Sequence, residues 1–164
     1  VVMKRLLELL EEDSTLTVHE LAVMLNMTDE EVAEQIRKLE HDGVINGYHA
    51  LINWEKSNEN YASALIELRV TPQKNVGFDD IAQQISRFPE VESVYLVSGG
   101  YDLMVCISAP TMQEVALFVQ KRLATMDGIF STATHFVLTR YKERNVNFNS
   151  PETRNDERGS NICD

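Results

Sequence analysis

VESVYLVSGGYDLMVCIS, residues 91–108, decides how the chain is read. Two runs rich in β-branched and aromatic residues, Val91–Val97 and Tyr101–Ser108, flank a short loop containing Gly99 and Gly100. That is the pattern of a β-hairpin. Both faces are apolar. Val91, Tyr95 and Val97 with Tyr101, Leu103, Val105 and Ile107 are expected on one side, and Val94 and Leu96 with Met104 and Cys106 on the other. One helix layer covers one face of a sheet, so the second face requires another cover, most simply a partner subunit.

Working outward, Ala62–Thr71 places Ala64, Ile66, Leu68 and Val70 in alternation with Leu65, Glu67 and Arg69, a strand ended by Pro72. Asp79–Phe88 has Ile81, Ala82, Ile85 and Phe88 at helical spacing, with Pro89 closing the helix. Beyond the hairpin, Thr111 and Glu114 form a capping box ahead of Val115, Phe118, Val119 and Leu123, and this helix is expected to end near Gly128. Ile129–Tyr141 reads as a last, long strand. The order strand, helix, strand, strand, helix, strand is the ferredoxin-like βαββαβ arrangement, in which both helices cover one face of an antiparallel sheet. Association through the other face is therefore expected, with larger closed assemblies open to it.

The N-terminal third is helical. Val2, Met3, Leu6, Leu7 and Leu10 share one face of a first helix ending near Asp13. Thr17 with Glu20, then Thr28 with Glu31, make two capping boxes that open a second helix, stopping at Asn26, and a third, ending before Gly43. Two short capped helices joined by a tight turn outline a helix-turn-helix. Asn46-Gly47 between Val44-Ile45 and Tyr48–Ile52 is a hairpin signal, because both turn residues tolerate positive φ, and it predicts a wing. The fold class expected is α+β: a winged helix-turn-helix over residues 1–53, a polar linker over 54–61, a ferredoxin-like domain over 62–145 and a flexible tail over 146–164. Such helix pairs serve DNA or protein contacts, and pattern alone leaves both open.

Composition narrows the classes. The 164 residues have ordinary apolar content, and no run approaches the roughly 20 apolar residues that span a bilayer; neither a membrane segment nor a signal peptide is legible. The opening Val1-Val2-Met3 reads as a trimmed or vector-derived N-terminus. Cys106 and Cys163 suggest free thiols in a reducing cytoplasm rather than a staple or metal site. The net charge of −11 argues against nucleic acid, but its distribution matters more. Residues 1–53 hold 4 Lys and Arg against 11 Asp and Glu, whereas residues 62–145 hold 8 against 9.

Leu39-Glu40 followed by Gly43-Val44-Ile45-Asn46-Gly47-Tyr48-His49-Ala50, and Val97-Ser98-Gly99-Gly100-Tyr101-Asp102 later on, resemble two strings of the Lrp/AsnC, or feast/famine, transcription regulators. The resemblance covers residues 1 to about 145. It implies that residues 1–53 bind double-stranded operator DNA as paired modules, with Thr28, Gln35, Arg37 and Lys38 at the contacts. It also implies that residues 62–145 sense an amino acid or related small molecule while building homodimers and octamers. The effector would sit between dimers against Ser98, Gly99, Gly100, Tyr101 and Asp102, with Thr132 and Thr134 adding hydroxyls. Physically, backbone N–H groups at Gly99 and Gly100 can approach a carboxylate, and Asp102 can face an α-ammonium. The plainer alternative is that the glycines only make a turn and Asp102 caps it.

One departure from that pattern bears on DNA. The third helix presents Asp29, Glu30, Glu31 and Glu34 in its first two turns, and Gln35 stands where the resemblance leads one to expect arginine. Phosphates repel carboxylates there. Either these acids serve the helix N-terminus through its dipole while Gln35 and Arg37 reach DNA, or the unit is a protein-contact module. His19, His41, His49 and His135 show no metal-ligand spacing, and no phosphate-binding glycine loop is present. An acid/base pair of Asp102 and His135 can be imagined, but a packed or interface histidine is the simpler reading. No enzyme, no cofactor and no metal is expected.

Overall fold

The computed structural model describes residues 2–71 and 77–148. The chain divides into two compact units, Val1–Ile52 and Asn53–Asp164.

The first unit consists of α1 (Val2–Glu12), α2 (Val18–Leu25) and α3 (Asp29–His41). Both expected capping boxes form: the Thr17 and Thr28 hydroxyls accept the backbone N–H of Glu20 and Glu31, whose carboxylates accept the threonine N–H groups in return. Each such cap is worth about 1 kcal/mol. Asn26, in the left-handed region at φ 54, ends α2 and sets up the tight turn. Leu6, Leu9, Leu10, Leu21, Ala22, Val32 and Leu39 form the core, and full burial of each larger side chain contributes roughly 1.5–3 kcal/mol.

The expected hairpin across Asn46-Gly47 is not formed, since residues 44–53 carry no paired strand. A type I′ turn needs positive φ at both central residues, and neither Asn46 nor Gly47 adopts it. Gly43 takes the left-handed conformation instead, at φ 68. Its N–H bonds the carbonyl of Glu40, and Val44 N–H bonds that of Leu39, a complete Schellman ending to α3. Asn46 Nδ2 then donates to the Gly43 carbonyl at 2.9 Å, so the side chain read as a turn former closes the helix instead.

In the second unit a 3₁₀ turn at Trp54–Lys56 precedes β1 (Ala62–Val70), α4 (Phe78–Ile85), β2 (Val91–Leu96), β3 (Leu103–Ala109), α5 (Met112–Phe118) and β4 (Ile129–Phe136). Trp54 stacks on Tyr61 across the polar linker at 5.6 Å. The four strands form an antiparallel sheet in the order β2-β3-β1-β4. Ala64, Ile66, Leu68, Val70, Leu103, Val105 and Ile107 are buried beneath Ile81 and Ile85 of α4 and Val115 and Phe118 of α5. Only half of the capping box expected at Thr111 forms, and a π turn over Val119–Leu123 extends α5.

Two bulges alter the faces. The register slips between Val91 and Ser93, so Val91 opposes Ile107 but Ser93 opposes Cys106. Glu92 is the extra residue, and parity reverses beyond it. Val94 and Leu96 thus join Val105 and Leu103, while Tyr95 joins Met104 on the open face, the reverse of the alternation read from sequence. Strand β4 bulges at Phe130, because Arg69 opposes Ser131 and Val70 opposes Ile129.

Strand β4 also stops at Phe136, short of Tyr141. Val137 N–H still bonds the Ser63 carbonyl, after which the chain leaves the sheet. The tail expected to be flexible from 146 begins with structure: β5 (Lys142–Glu143) pairs with β6 (Val146–Asn147), and Phe148 is buried under the Arg140 guanidinium. The rest of that tail, 149–164, lies outside the described residues, as do Pro72 and its neighbours through 76.

Candidate functional site

Three surfaces carry the candidate chemistry. The first is α3. Val32, Ile36 and Leu39 face the core, which turns Glu30, Glu34, Arg37 and Lys38 outward at helical spacing. Glu31 is committed to its capping box, and Asp29 lies 3.2 Å from His19 Nδ1 on α2. Two of the four acids that count against DNA therefore have local work at the helix N-terminus, where the dipole favours them. Arg37, expected at the DNA contacts, donates from Nη2 to Glu34 Oε2 at 2.9 Å. Lys4 and Arg5 pair with Glu8. Among the described residues, Lys38 is the one Lys or Arg of this unit without an ion-pair partner. Gln35 is half-buried, and the Thr28 hydroxyl is engaged as a cap.

Behind α3 the string Leu39–Tyr48 acquires a physical account. The Tyr48 hydroxyl donates to Glu40 Oε1 at 2.9 Å, and burial, the hydrogen bond to Glu40 and its charge push the phenol up from its ordinary value. Glu40, Gly43, Asn46 and Tyr48 together fix how the chain leaves the helix. The sequence offered Tyr48 as a strand residue of the expected wing and as a member of the string that carries the resemblance. No spacing rule would have paired it with Glu40.

The second surface is the loop between β2 and β3. Gly99 has φ 143, a conformation side chains rarely adopt, and a Cβ at either Gly99 or Gly100 would meet no heavy atom within 4 Å. Ser98, Gly99 and Gly100 are exposed, and Tyr101 and Asp102 half-buried. Asp102 anchors the loop. Its N–H bonds the Leu68 carbonyl, its carbonyl accepts Val97 N–H, and Oδ2 accepts Val70 N–H at 2.7 Å. Val70 lies two residues beyond Leu68, so its N–H points to the same β3 side; the β1–β3 pairing ends at Leu68 and Leu103, and the Asp102 carboxylate supplies the acceptor that the ladder no longer offers.

Thr132 registers with Leu68, across β1 from Asp102, so about two strand spacings or roughly 10 Å separate their backbones. Thr134 registers with Ile66, further along, and both threonines are half-buried on the helix side of the sheet. The structure thus brings Thr132 toward the loop and leaves Thr134 beneath the helices. His135 is on the opposite face, 3.6 Å from Glu67, and does not meet Asp102.

The third surface is the sheet face away from the helices. It presents Leu65, Tyr95, Met104, Cys106 and Ala133 with Glu67, Arg69 and His135. At one end Tyr61 donates to Glu92 Oε1 at 3.2 Å, and Arg140 Nη1 lies 2.8 Å from Glu143 Oε2. Burial raises the Cys106 thiol above its ordinary value, with the charges of Glu92 and Glu143 adding to the effect and Arg140 opposing it. Sequence reading missed this network because its members come from the linker, β2 and the segment after β4.

Residues 63–147 match the Lrp/AsnC ligand binding domain and residues 4–40 the AsnC-type helix-turn-helix domain. The chain belongs to the Lrp/AsnC family. It is 46% identical over 138 residues to YugG of Bacillus subtilis (strain 168), named as an uncharacterized HTH-type transcriptional regulator, covering 84% of this chain and 83% of that one. Among solved structures, the leucine response regulatory protein LrpA of Mycobacterium tuberculosis superposes with TM-score 0.74 at 25% identity, over 87% of this chain and 94% of its own. A transcriptional regulator of Neisseria meningitidis in complex with L-Met does so with TM-score 0.71 at 25% identity, over 87% and 91%. This Lrp/AsnC protein is a transcriptional regulator with a helix-turn-helix domain and a ligand-binding domain, in a family of regulators rather than enzymes. No helix among the described residues is long and apolar enough to cross a membrane.

Proposed function

We propose that this regulator responds to an amino acid or closely related molecule, held against Ser98–Asp102 between dimers, and that binding alters which pairs of α3 helices engage adjacent operator half-sites. The observation that carries this reading is the open loop. Gly99 and Gly100 leave their backbone exposed, and Asp102 is fixed beside them. Backbone donors suit a carboxylate, and the Asp102 charge suits an ammonium, the two groups of an amino acid. The solved regulator of Neisseria meningitidis is a complex with L-Met, which supports an amino-acid effector.

Homodimerisation is proposed through the sheet face bearing Leu65, Tyr95 and Met104, and dimers would close into a larger ring, an octamer among the options. On the DNA side the reading places Gln35, Arg37 and Lys38 at the duplex, with the Thr28 cap setting where α3 begins. Few cations and several acids predict modest affinity per module, so binding depends on several modules acting together.

The test is binding of the full-length protein to its own upstream DNA against a scrambled duplex, across a salt series and with each of the twenty amino acids. Selective shifts altered by one or a few amino acids are expected. Absence of selective binding even at low salt would overturn the operator reading and favour a protein-contact role for the acidic helix-turn-helix.

A further inference from the structure

Glu34 is the acid on α3 that local helix chemistry explains least. Asp29 and Glu31 sit at the N-terminus, where a cap and a histidine occupy them. Glu34 lies in the second turn, beyond the reach of the dipole at the first. Its side chain is 71% exposed and that of Arg37 69%, and such an exposed pair three residues apart contributes little to stability. Yet both project from the outward face of the helix, in contact at 2.9 Å.

We propose that Glu34 is a specificity-determining residue: its carboxylate accepts a hydrogen bond from the N4 amino group of a cytosine, while Arg37, which it aligns, donates to O6 and N7 of a neighbouring guanine. This rests on the operator reading above. The observed contact uses one oxygen of Glu34 and one nitrogen of Arg37, whereas a carboxylate offers two acceptor oxygens and a guanidinium five N–H donors. Positions three apart on a helix hold their Cβ atoms about 5–6 Å from each other, close enough to address base pairs stacked roughly 3.4 Å apart. In the major groove cytosine presents a donor, guanine and thymine present acceptors, and adenine flanks its donor with an acceptor. A carboxylate at this point favours cytosine and penalises the alternatives, above all guanine and thymine. The acid that weakens general affinity for phosphates thereby sharpens the choice among sequences.

The test is selection of bound duplexes from a randomised pool by the full-length protein, comparing wild type, E34Q, E34A and E30Q. Wild type is expected to fix a cytosine beside a guanine in each half-site. E34A should flatten the preference at the cytosine position from roughly 5- to 150-fold to near unity. E34Q should move it toward adenine, which glutamine reads through N6 and N7. E30Q should leave every base preference as in wild type. If E34A and E34Q instead strengthen binding to all duplexes alike with unchanged preferences, Glu34 is a repelling charge and the proposal fails while the operator reading stands. Should wild type enrich no sequence, both fail together.

Discussion

Asp102 Oδ2 accepts the backbone N–H of Val70 at 2.7 Å, so the residue proposed to face a ligand ammonium also closes the end of β1. These roles separate by substitution. Val70 is 7% exposed, and Asp102→Ala strands its N–H without a partner, at a cost of about 1–3 kcal/mol. Asp102→Asn keeps an acceptor oxygen and loses the charge. Chemical denaturation should show D102A clearly destabilised and D102N close to wild type, while D102N loses the effector-dependent shift in DNA binding. A fully responsive D102N would confine Asp102 to its structural bond.

The glycines divide in the same manner. A Cβ at Gly128, which has φ 88, would come 2.8 Å from Ile81 Cδ1, so Gly128→Ala meets both strain and a clash in the core. A loss of about 1–3 kcal/mol is expected in denaturant unfolding. Gly100 has open space and no positive φ, so Gly100→Ala should unfold like wild type. Weaker effector response in that stable variant would report close approach of ligand to backbone. An unchanged response would move the ligand elsewhere.

Periodicity and caps made the helices, the strand order and both units legible in the sequence, because 3.6 and 2.0 repeats and Thr-x-x-Glu boxes are local signals. What escaped was nonlocal. The extra residues Glu92 and Phe130 reverse or displace an alternation that strand counting assumes unbroken. Asn46-Gly47 has a hairpin's composition, yet Gly43 takes the positive φ first and Asn46 bonds back to it. Of the candidate site, the loop was recognisable by its glycines and the Glu34–Arg37 pair has a local helical spacing, whereas the Asp102–Val70 bond, between residues 32 apart, exists only once the chain is folded.

The N-terminal unit should be acid-sensitive through the Thr17–Glu20 cap. Hydrogen bonds from the Thr17 N–H and then its hydroxyl hold the Glu20 carboxyl below its ordinary 4.5. Because the folded value is the lower one, this stabilisation is complete above about pH 4.5 and is lost as pH falls through the folded value. Glu20→Gln should lower stability at pH 6 and lessen the fall between pH 5 and pH 3, read by circular dichroism melts at each pH. Parallel curves for the two proteins would show that the cap carries no such linkage.

Cys106 reports on the sheet face. Its thiol is raised by burial first and by Glu92 and Glu143 next, so less thiolate is present near pH 8 than at an unperturbed cysteine. Iodoacetamide should therefore alkylate it slowly, and Glu92→Gln, removing one of the raising charges, should quicken the reaction modestly. Association through the face bearing Leu65, Tyr95 and Met104 adds a second condition. Raising protein concentration through the range where sedimentation shows assembly should slow the reaction further, followed by mass spectrometry of the peptide containing Cys106. Leu65→Glu places a charge in the middle of that face, beside Cys106 and His135 in the ladder, and should both weaken assembly and abolish the concentration dependence. A Cys106 rate indifferent to concentration while the protein assembles would put the subunit contact on another surface.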